Sequence, residues 1–282
     1  MRHHKFMQSI IRDQFPITTW IFLGALIQGL LHIILPYRNI VLVLPVILII
    51  ASQAINTLLQ LAGITTVPAL KTMIPHRTTV AFPSSETGQQ TFGDRPICMI
   101  LLSIVSHHPL GMLAPGYKET GDRMDEMLQD LNAKATKHGF LGASAWINTE
   151  RTTSNQTAIM LYFENEERVH AYAHGPLHTA TLQGWVKATK GRPWLGIMHE
   201  IFLSPAGGWE GVYVNYHPTG LGATSKEVIG PDGETRWINP LIKTNGKLLY
   251  SKGRMGREVE EKEWLEFEKL VGQDGTIYRE GK

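Results

Sequence analysis

The stretch ICMILLSIV, residues 97–105, decides how the middle of this chain folds. Only Ser103 interrupts an otherwise apolar run. A short and nearly continuous apolar run of this length is typical of a strand that is covered on both faces. We therefore predict a buried strand here, and the neighbouring segments are interpreted as the elements that pack around it.

The sequence that follows predicts one helix and two more strands. In residues 118–138 the apolar side chains recur at helical spacing, and Gly139 is placed to end the helix. FLGASAWINT, residues 140–149, and QTAIMLYF, residues 156–163, then predict two strands joined by a polar turn over 150–155.

A second helical region and two further strands complete the pattern. Asn165 is a suitable cap for a helix that runs, with a break, to Lys190. Residues 194–203 and 208–216 predict a fourth and a fifth strand. The order strand-helix-strand-strand-helix-strand predicts an α+β, ferredoxin-like domain with both helices on one face of an antiparallel sheet. The other face must also be covered, and a second copy of the chain is the simplest cover, so we expect a homodimer.

The N-terminal segment has a different character. Residues 17–35 and 40–62 carry no formal charge, and each is long enough to cross a hydrocarbon core of roughly 30 Å. Only PYRN, residues 36–39, separates them, so we predict a transmembrane helical hairpin; re-entrant or interfacial helices are the alternative. The polar residues of the two spans are interpreted as contacts between its helices, with a proton path as the alternative; they are Gln28, His32, Gln53, Asn56 and Gln60.

Basic residues predict the orientation of this hairpin. They precede the first span and follow the second, whereas Arg38 is the only one in the turn. The positive-inside rule then places both ends and the large C-terminal part in the cytosol. We expect a two-span protein of the endoplasmic reticulum membrane. The basic residues that carry the argument are Arg2, Lys5, Arg12, Lys71 and Arg77.

Composition sets limits on organisation and function. The predicted organisation is a hairpin over 1–67, a linker over 68–94, a ferredoxin-like domain over 95–222 and a peripheral tail over 223–282.

A net charge of +2 without a basic run disfavours nucleic-acid binding. The single cysteine, Cys98, excludes an internal disulfide and any CxxC metal site. No complete dinucleotide-binding or P-loop motif is present.

The stretch AYAHGPLHTATLQGW, residues 171–185, contains the first candidate site residues. Pro176 breaks a straight helix and suits the first turn of a new one. His178, Leu182 and Trp185 then fall on one apolar stripe that faces the sheet. A core histidine, or a base or ligand that points into a cavity, would each explain His178. Since HExxH is absent, we predict no dedicated metal site.

The fourth strand supplies further candidates. Alternation places His199 on the face of Ile197 and Ile201, and Glu200 on the opposite face. Burying an unpaired ionisable group is costly, so either a structural ion pair or a functional site is expected here. Side chains near the fifth strand could partner these two residues: Glu210, Tyr213, Asn215 and His217.

Three segments carry a resemblance to a known family. GFLGASAWI, AYAHGPLHTATLQGWVKA and GIMHEIFLSPAGGWEGVYVNYHPTGLG are similar to the fungal monooxygenase family of the antibiotic-biosynthesis-monooxygenase type, which serves secondary-metabolite pathways of the fumagillin kind and has bacterial domain relatives. The resemblance covers about residues 95–222. It implies a dimeric α+β barrel with a cavity between sheet and helices, and oxidation of lipophilic molecules by O2, often without flavin or metal.

The resemblance also frames the roles of the candidate residues. We expect His178 as the base or proton shuttle, with His199 and Glu200 as further catalytic candidates. Trp146 and Trp185 are expected as walls of the substrate site, and Glu200 or Asn215 as orienting groups. Tyr213 is a further expected substrate contact. No cofactor is predicted, but some relatives bind haem, so His178 or His199 as an axial ligand is retained as a variant.

The resulting hypothesis is a membrane-anchored monooxygenase that acts on a lipophilic terpenoid or polyketide intermediate. An oxygen-independent isomerase, cyclase or dehydratase on the same scaffold is the first alternative. A non-catalytic membrane scaffold is the second.

Overall fold

The computed structural model describes residues 15–84, 88–149, 156–230 and 232–271. Two compact units are present, residues 1–72 and residues 73–282. The predicted polar turn over 150–155 lies outside the described residues, as do Arg2, Lys5 and Arg12.

The first unit contains two consecutive helices, α1 (Ile17–Ile34) and α2 (Arg38–Leu61), joined by residues 35–37. A 3₁₀ turn over Pro68–Thr72 follows. Both helices are long and apolar enough to cross a membrane, and neither buries a side chain in the protein. Apolar side chains that find no protein interior suit a lipid environment. The two predicted helices are therefore observed, with ends within two residues of the predicted ones.

A polar contact joins these two helices where a proline interrupts the second. Pro45 has no amide proton, so the Val41 carbonyl four residues before it lacks its helical donor. The Gln28 side-chain amide donates to the Val41 carbonyl and also to that of Leu42, at 2.9 Å. His32 Nδ1 lies 3.1 Å from the Arg38 carbonyl oxygen. Gln28 and His32 thus contact the neighbouring helix, as predicted.

The core of the second unit is a four-stranded antiparallel sheet of β4 (Ile97–Ser106), β5 (Phe140–Ile147), β6 (Thr157–Phe163) and β7 (Leu195–Ser204). The order of the strands across the sheet is β5–β6–β4–β7. The central strand β4 contains the apolar run of residues 97–105, and its Leu102 lies between Ile159 of β6 and His199 of β7. This is the predicted ferredoxin-like strand arrangement.

Helices cover one face of this sheet, and their ends follow the predicted signals. Gly139 ends the first helical region with φ 59°, a conformation that glycine adopts without a Cβ clash. Asn165 caps the second region, since its Oδ1 accepts the Arg168 amide proton at 3.0 Å. Pro176 occupies the first turn of a new helix, as predicted. The helices are α3 (Tyr117–Ala133), α4 (Ala135–His138), α5 (Glu166–Ala173) and α6 (Pro176–Thr189).

The predicted linker over 68–94 is wrong in its central part, which forms strand β1 (Ile74–Val80). Thr79 and Val80 are almost completely buried there. The Thr- and Pro-rich composition suggested a loop, but β-branched threonine and valine also suit a packed strand. Two short strands, β2 (Phe82–Pro83) and β3 (Gln90–Thr91), follow and pair with each other.

The predicted fifth strand exists as β8 (Val212–Tyr216), but it does not extend the core sheet. It pairs with β1, which pairs on its other side with β11 (Leu241–Lys243). This second sheet packs on the face of the core sheet opposite the helices, through side chains such as Val80, Tyr213 and Leu241.

The region after residue 222 is not a peripheral tail. Besides β11 it contains a hairpin of two strands, a 3₁₀ turn over Gly246–Leu249 and two helices, and Leu249 is fully buried. The buried Arg254 side chain donates to Glu210 at 2.6 Å and to the carbonyls of Leu248 and Leu249. Glu210 therefore binds the C-terminal region, not His199 or Glu200. The remaining elements are β9 (Lys226–Ile229), β10 (Thr235–Ile238), α7 (Ser251–Arg254) and α8 (Glu261–Val271).

Candidate active site

A cavity of about 430 Å³ lies between the helices and the core sheet. Its floor is formed by helix-facing side chains of β4 and β6, such as Ile100 and Ile159, and its walls by α3, α5, α6 and β7. Among the described residues that line it there is no aspartate, glutamate, lysine or arginine. A concave apolar space of this size matches the usual form of a small-molecule site.

Helix α6 packs beside α3 over the core sheet. Side chains on its sheet-facing side border the cavity.

The side chain of His178 lies in the cavity wall near the start of α6. The side chain is half-buried, and its ring meets the Tyr172 ring edge-on with centroids 6.5 Å apart. Leu182 and Trp185 line the same cavity, so the predicted stripe on α6 is observed. His174 at the helix break is exposed, and its Nδ1 lies 2.8 Å from the His170 carbonyl oxygen.

A second imidazole reaches the cavity from the sheet. His199 lines the cavity together with Ile197 and Ile201 of the same strand, as the alternation of β7 predicts. β7 is an edge strand, and the His199 side chain is exposed at the open side of the cavity. The arrangement therefore combines one half-buried and one exposed imidazole with an apolar space.

Two further polar side chains at the cavity were not among the predicted site residues. Tyr172 of α5 donates its hydroxyl proton to the Met127 carbonyl at 3.1 Å. Burial, with smaller contributions from the charges of Asp130 and Glu126, raises the pKa of Tyr172 to about 12. Tyr172 is thus a neutral phenol at physiological pH and a poor base. Because it precedes the helix break, its direction depends on how α5 and α6 are placed, which local sequence does not show.

Thr181 is the other polar residue at the cavity, one turn after His178 on α6. Its buried hydroxyl has no hydrogen-bond partner among the described residues. The helical spacing from His178 was a usable signal for this position.

Four predicted site residues lie away from the cavity. Glu200 alternates with His199 along β7 and lies on the opposite face, as the alternation predicts, so it does not border the space in which an orienting role is expected. The expectation that Trp146 is a wall of that space is wrong, because Trp146 lies across from Ala158 on the face away from the helices. The Tyr213 ring packs between the two sheets, and its hydroxyl oxygen accepts the Gly222 amide proton at 2.9 Å. Asn215 lies in β8, away from the cavity, with φ 48°. Successive strand residues point to opposite faces, and β8 joins the other sheet.

The side chains that line the cavity decide whether it suits a metal ion or a haem. In the part of the chain that the structure describes, no group of three or more His, Cys, Asp or Glu side chains could hold a metal ion. An imidazole could ligate haem iron, but no lysine or arginine among the described lining residues could pair with the propionates. The residues present therefore fit a haem poorly.

Sequence similarity to a known family covers most of this chain. The family model described as Monooxygenase af470-like matches residues 97–221. Monooxygenase af470 from Aspergillus fumigatus is 32% identical over 250 residues, which cover 87% of this chain and 89% of that protein. This chain belongs to the Monooxygenase af470-like family. The resemblance found in the sequence is confirmed.

Two solved structures that resemble part of this chain have low sequence identity to it. SnoaB, a cofactor-independent oxygenase from Streptomyces nogalater, is 13% identical, with 38% of this chain and 90% of that chain covered and a TM-score of 0.25. A dimeric protein of unknown function with a ferredoxin-like fold, from Bacteroides fragilis, is 17% identical, with 40% and 100% covered and a TM-score of 0.28.

Proposed function

We propose that this protein is a membrane-anchored monooxygenase that oxidises a neutral, lipophilic small molecule such as a terpenoid or polyketide intermediate. The observation that carries the proposal is the apolar cavity with His178 in its wall, in a chain of a monooxygenase family. A cavity without acidic or basic lining side chains favours a substrate without carboxylate or phosphate groups, because an unpaired charge is costly to bury.

His178 is proposed as the base. It would remove a proton from an acidic C–H or O–H group of the substrate, which leaves a carbanion or enolate. This anion can transfer an electron to O2, and recombination of the carbon radical with superoxide forms a peroxide anion, which takes the proton back from His178. The oxidised carbon must carry a second hydrogen, because the peroxide then loses this hydrogen and its outer oxygen as water, which leaves a carbonyl group on the product. One oxygen atom then enters the product and the other leaves as water, and the substrate supplies all the electrons.

The apolar walls support this chemistry by excluding water from the anion and the peroxide. Trp185 and Leu182 border the reacting space beside His178. His199 lies at the open side of the cavity, where a second imidazole could return a proton to the product or exchange it with solvent.

The decisive experiment uses membranes that contain the full chain and the compound that accumulates in a producing strain lacking this protein. We expect turnover in air, incorporation of one ¹⁸O atom from ¹⁸O2, and no turnover under strict anoxia. Product formation without oxygen would instead support an isomerase, cyclase or dehydratase. A Soret band in the purified protein would show bound haem and would support a haem-dependent reaction instead.

His178→Ala tests the proposed base. Removing a general base costs about 10²- to 10⁴-fold in rate, so we expect a loss in that range. His174→Ala is the matched control, because that imidazole is exposed on the same segment and its described contacts are the carbonyl and the ring of His170, outside the cavity. Unchanged product output from His178→Ala would favour a scaffold role.

The proposal includes anchoring by α1 and α2, with the second unit in the cytosol at the endoplasmic reticulum. Its support is the length and apolar exposure of the two helices. The chain should resist extraction with alkaline carbonate and should sediment with microsomes. Protease added outside sealed microsomes should digest the second unit, and protection of that unit would contradict the orientation.

We also propose a homodimer that covers the exposed part of the core sheet opposite the helices. Trp146, Met198 and Phe202 are 37–46% exposed on this face, beyond the part that the second sheet covers. Exposed apolar residues that form a patch favour association. Light scattering of the detergent-solubilised chain should give the mass of two copies, and a monomer would contradict this part of the proposal.

A further inference from the structure

The open side of the cavity is surrounded by exposed apolar side chains. Leu182 of α6 and Ile197 and Ile201 of β7 line the cavity and are also 42–54% exposed. Val186 follows one turn later on α6, and Leu203 follows on the same face of β7, at 62% and 55% exposed. We call these five residues the mouth patch. Large exposed apolar patches mark binding surfaces because leaving them in water is unfavourable.

Both signs of charge occur near the mouth patch, but its carboxylate neighbour is paired: Glu119 shares a small pocket with Ile197 and lies 3.8 Å from Arg192. Helix α6 contains no carboxylate, and Lys187 and Lys190 are exposed beside Val186 at its C-terminal end. Helix α3, on the other side of α6, has the opposite character, because five of its residues are acidic. These are Glu119, Asp122, Asp125, Glu126 and Asp130.

Apolar side chains flanked at one end by exposed lysines suit the interface of an anionic bilayer. The apolar residues can enter the headgroup boundary, and the lysines can contact negative headgroups. The same chain carries two helices with the length and apolar exposure of membrane spans. A bilayer is therefore the occupant for which the chain itself gives a reason.

We propose that the mouth patch docks on the bilayer that the hairpin crosses, so that the cavity opens to lipid instead of water. A lipophilic substrate would then pass from the bilayer past Leu182 and Ile201 to His178 without entering the aqueous phase. The inference rests on the proposed membrane anchoring. A second copy of the chain is the competing occupant, and it would have no need of the lysines.

The test measures how deeply the mouth patch lies in lipid. A nitroxide is attached to Val186→Cys in the full chain, which is then placed in nanodiscs of phosphatidylcholine and phosphatidylserine. Glu234→Cys is the matched control, because Glu234 is exposed in the β9–β10 hairpin beside the opposite edge of the core sheet. The wild-type chain controls for labelling, since its only cysteine, Cys98, is buried.

We expect power saturation to show that the label at residue 186 collides with O2 and is protected from the aqueous reagent nickel ethylenediaminediacetate. The label at residue 234 should show the reverse. A label at residue 186 that is fully accessible to the nickel reagent would overturn the docking. Protection from both reagents, with dipolar broadening between labels, would also overturn it by showing a second copy on the patch.

Charge reversal gives an independent check. Lys187→Glu with Lys190→Glu should lower the docking equilibrium by about 30-fold or more, since each lysine near an anionic surface is worth roughly fivefold. The nitroxide at residue 186 should then become water-accessible. Lys118→Glu on α3 is the control, because Lys118 is exposed and lies in the acidic helix.

The outcomes separate the two proposals. A chain that does not incorporate into nanodiscs refutes the anchoring. A chain that incorporates but leaves residue 186 in water, in both the wild-type and the reversed background, refutes only the docking.

Discussion

On the helix side of the core sheet, Ile100 and Ile159 border a cavity of about 430 Å³, whereas on the other side Phe82 and Tyr162 belong to a closely packed cluster. The two central strands, β4 and β6, supply both faces. The packed part of the second face is closed by β1, β8 and β11, with the Phe82 ring edge-on to Trp209 at 5.8 Å between centroids. The helix face is covered only at its periphery.

This difference shows that the packed cluster contributes most to the stability of the fold, whereas the helix side leaves space for a ligand. Protein interiors normally reach crystal-like packing, because a void forfeits contacts on its whole lining. A retained apolar cavity is therefore a cost that the packed face offsets. Substitutions on the two faces should have correspondingly different consequences.

The largest effect on stability is expected at the packed face. Phe82→Ala should lower the free energy of unfolding by about 3–5 kcal/mol, because Phe82 is fully buried in a filled cluster. Ile201→Ala at the cavity wall should cost roughly 1 kcal/mol or less, since Ile201 is already 42% exposed. Denaturant unfolding of the detergent-solubilised chain compares the two. Equal losses would break the contrast between the faces.

The C-terminal closure of the packed face depends on a buried ion pair. Arg254→Leu leaves Glu210 without its partner and should cost roughly 3 kcal/mol. Arg236→Leu removes an exposed pair with Asp232 and should cost about 0–1 kcal/mol. A similar small loss for both variants would show that the region after residue 222 contributes little to the fold.

Filling the cavity should affect ligand binding more than folding. Ala173→Phe adds a ring at the cavity wall, where space exists, so the free energy of unfolding should change by about 1 kcal/mol or less. Binding of the accumulating substrate, measured by quenching of tryptophan fluorescence, should fall at least tenfold. Ala171→Phe, at an exposed position of the same helix, should leave binding unchanged. Normal binding by Ala173→Phe would place the ligand elsewhere.

The smallest effects are expected from the predicted site residues that lie away from the cavity. Glu200→Gln and Trp146→Phe should change turnover by about twofold or less, as substitutions at exposed positions usually do. A loss of 100-fold from Glu200→Gln, measured in the same membrane assay, would show that the second face takes part in the reaction.

Much of the core was readable from local sequence. The apolar run of β4, the ends at Gly139 and Asn165 and the new helix at Pro176 all follow from backbone chemistry within a few residues. Alternation along β7 also assigned His199 to the helix side.

Other features depended on segments far apart in the chain. Local composition predicts a linker at β1 because its strand partners, β8 and β11, lie more than 130 residues later. Glu210 and Arg254, which pair across 44 residues, are likewise too far apart for local patterns to reveal their contact. Trp146 and Asn215 were expected beside His178 because a family likeness states which residues recur, not which face of the sheet each one occupies.

The amino-acid sequence by itself determined which segments are helix or strand in the core, the apolar character of the two N-terminal helices, and the family. Only the tertiary structure decided that a cavity lies between the sheet and the helix that carries His178, and that β1, β8 and β11 pack on part of the opposite face. The physical reason is the range of the forces involved. Capping, alternation and proline sterics act over a few residues, whereas a cavity exists only where elements from distant parts of the chain stop short of filling the space between them.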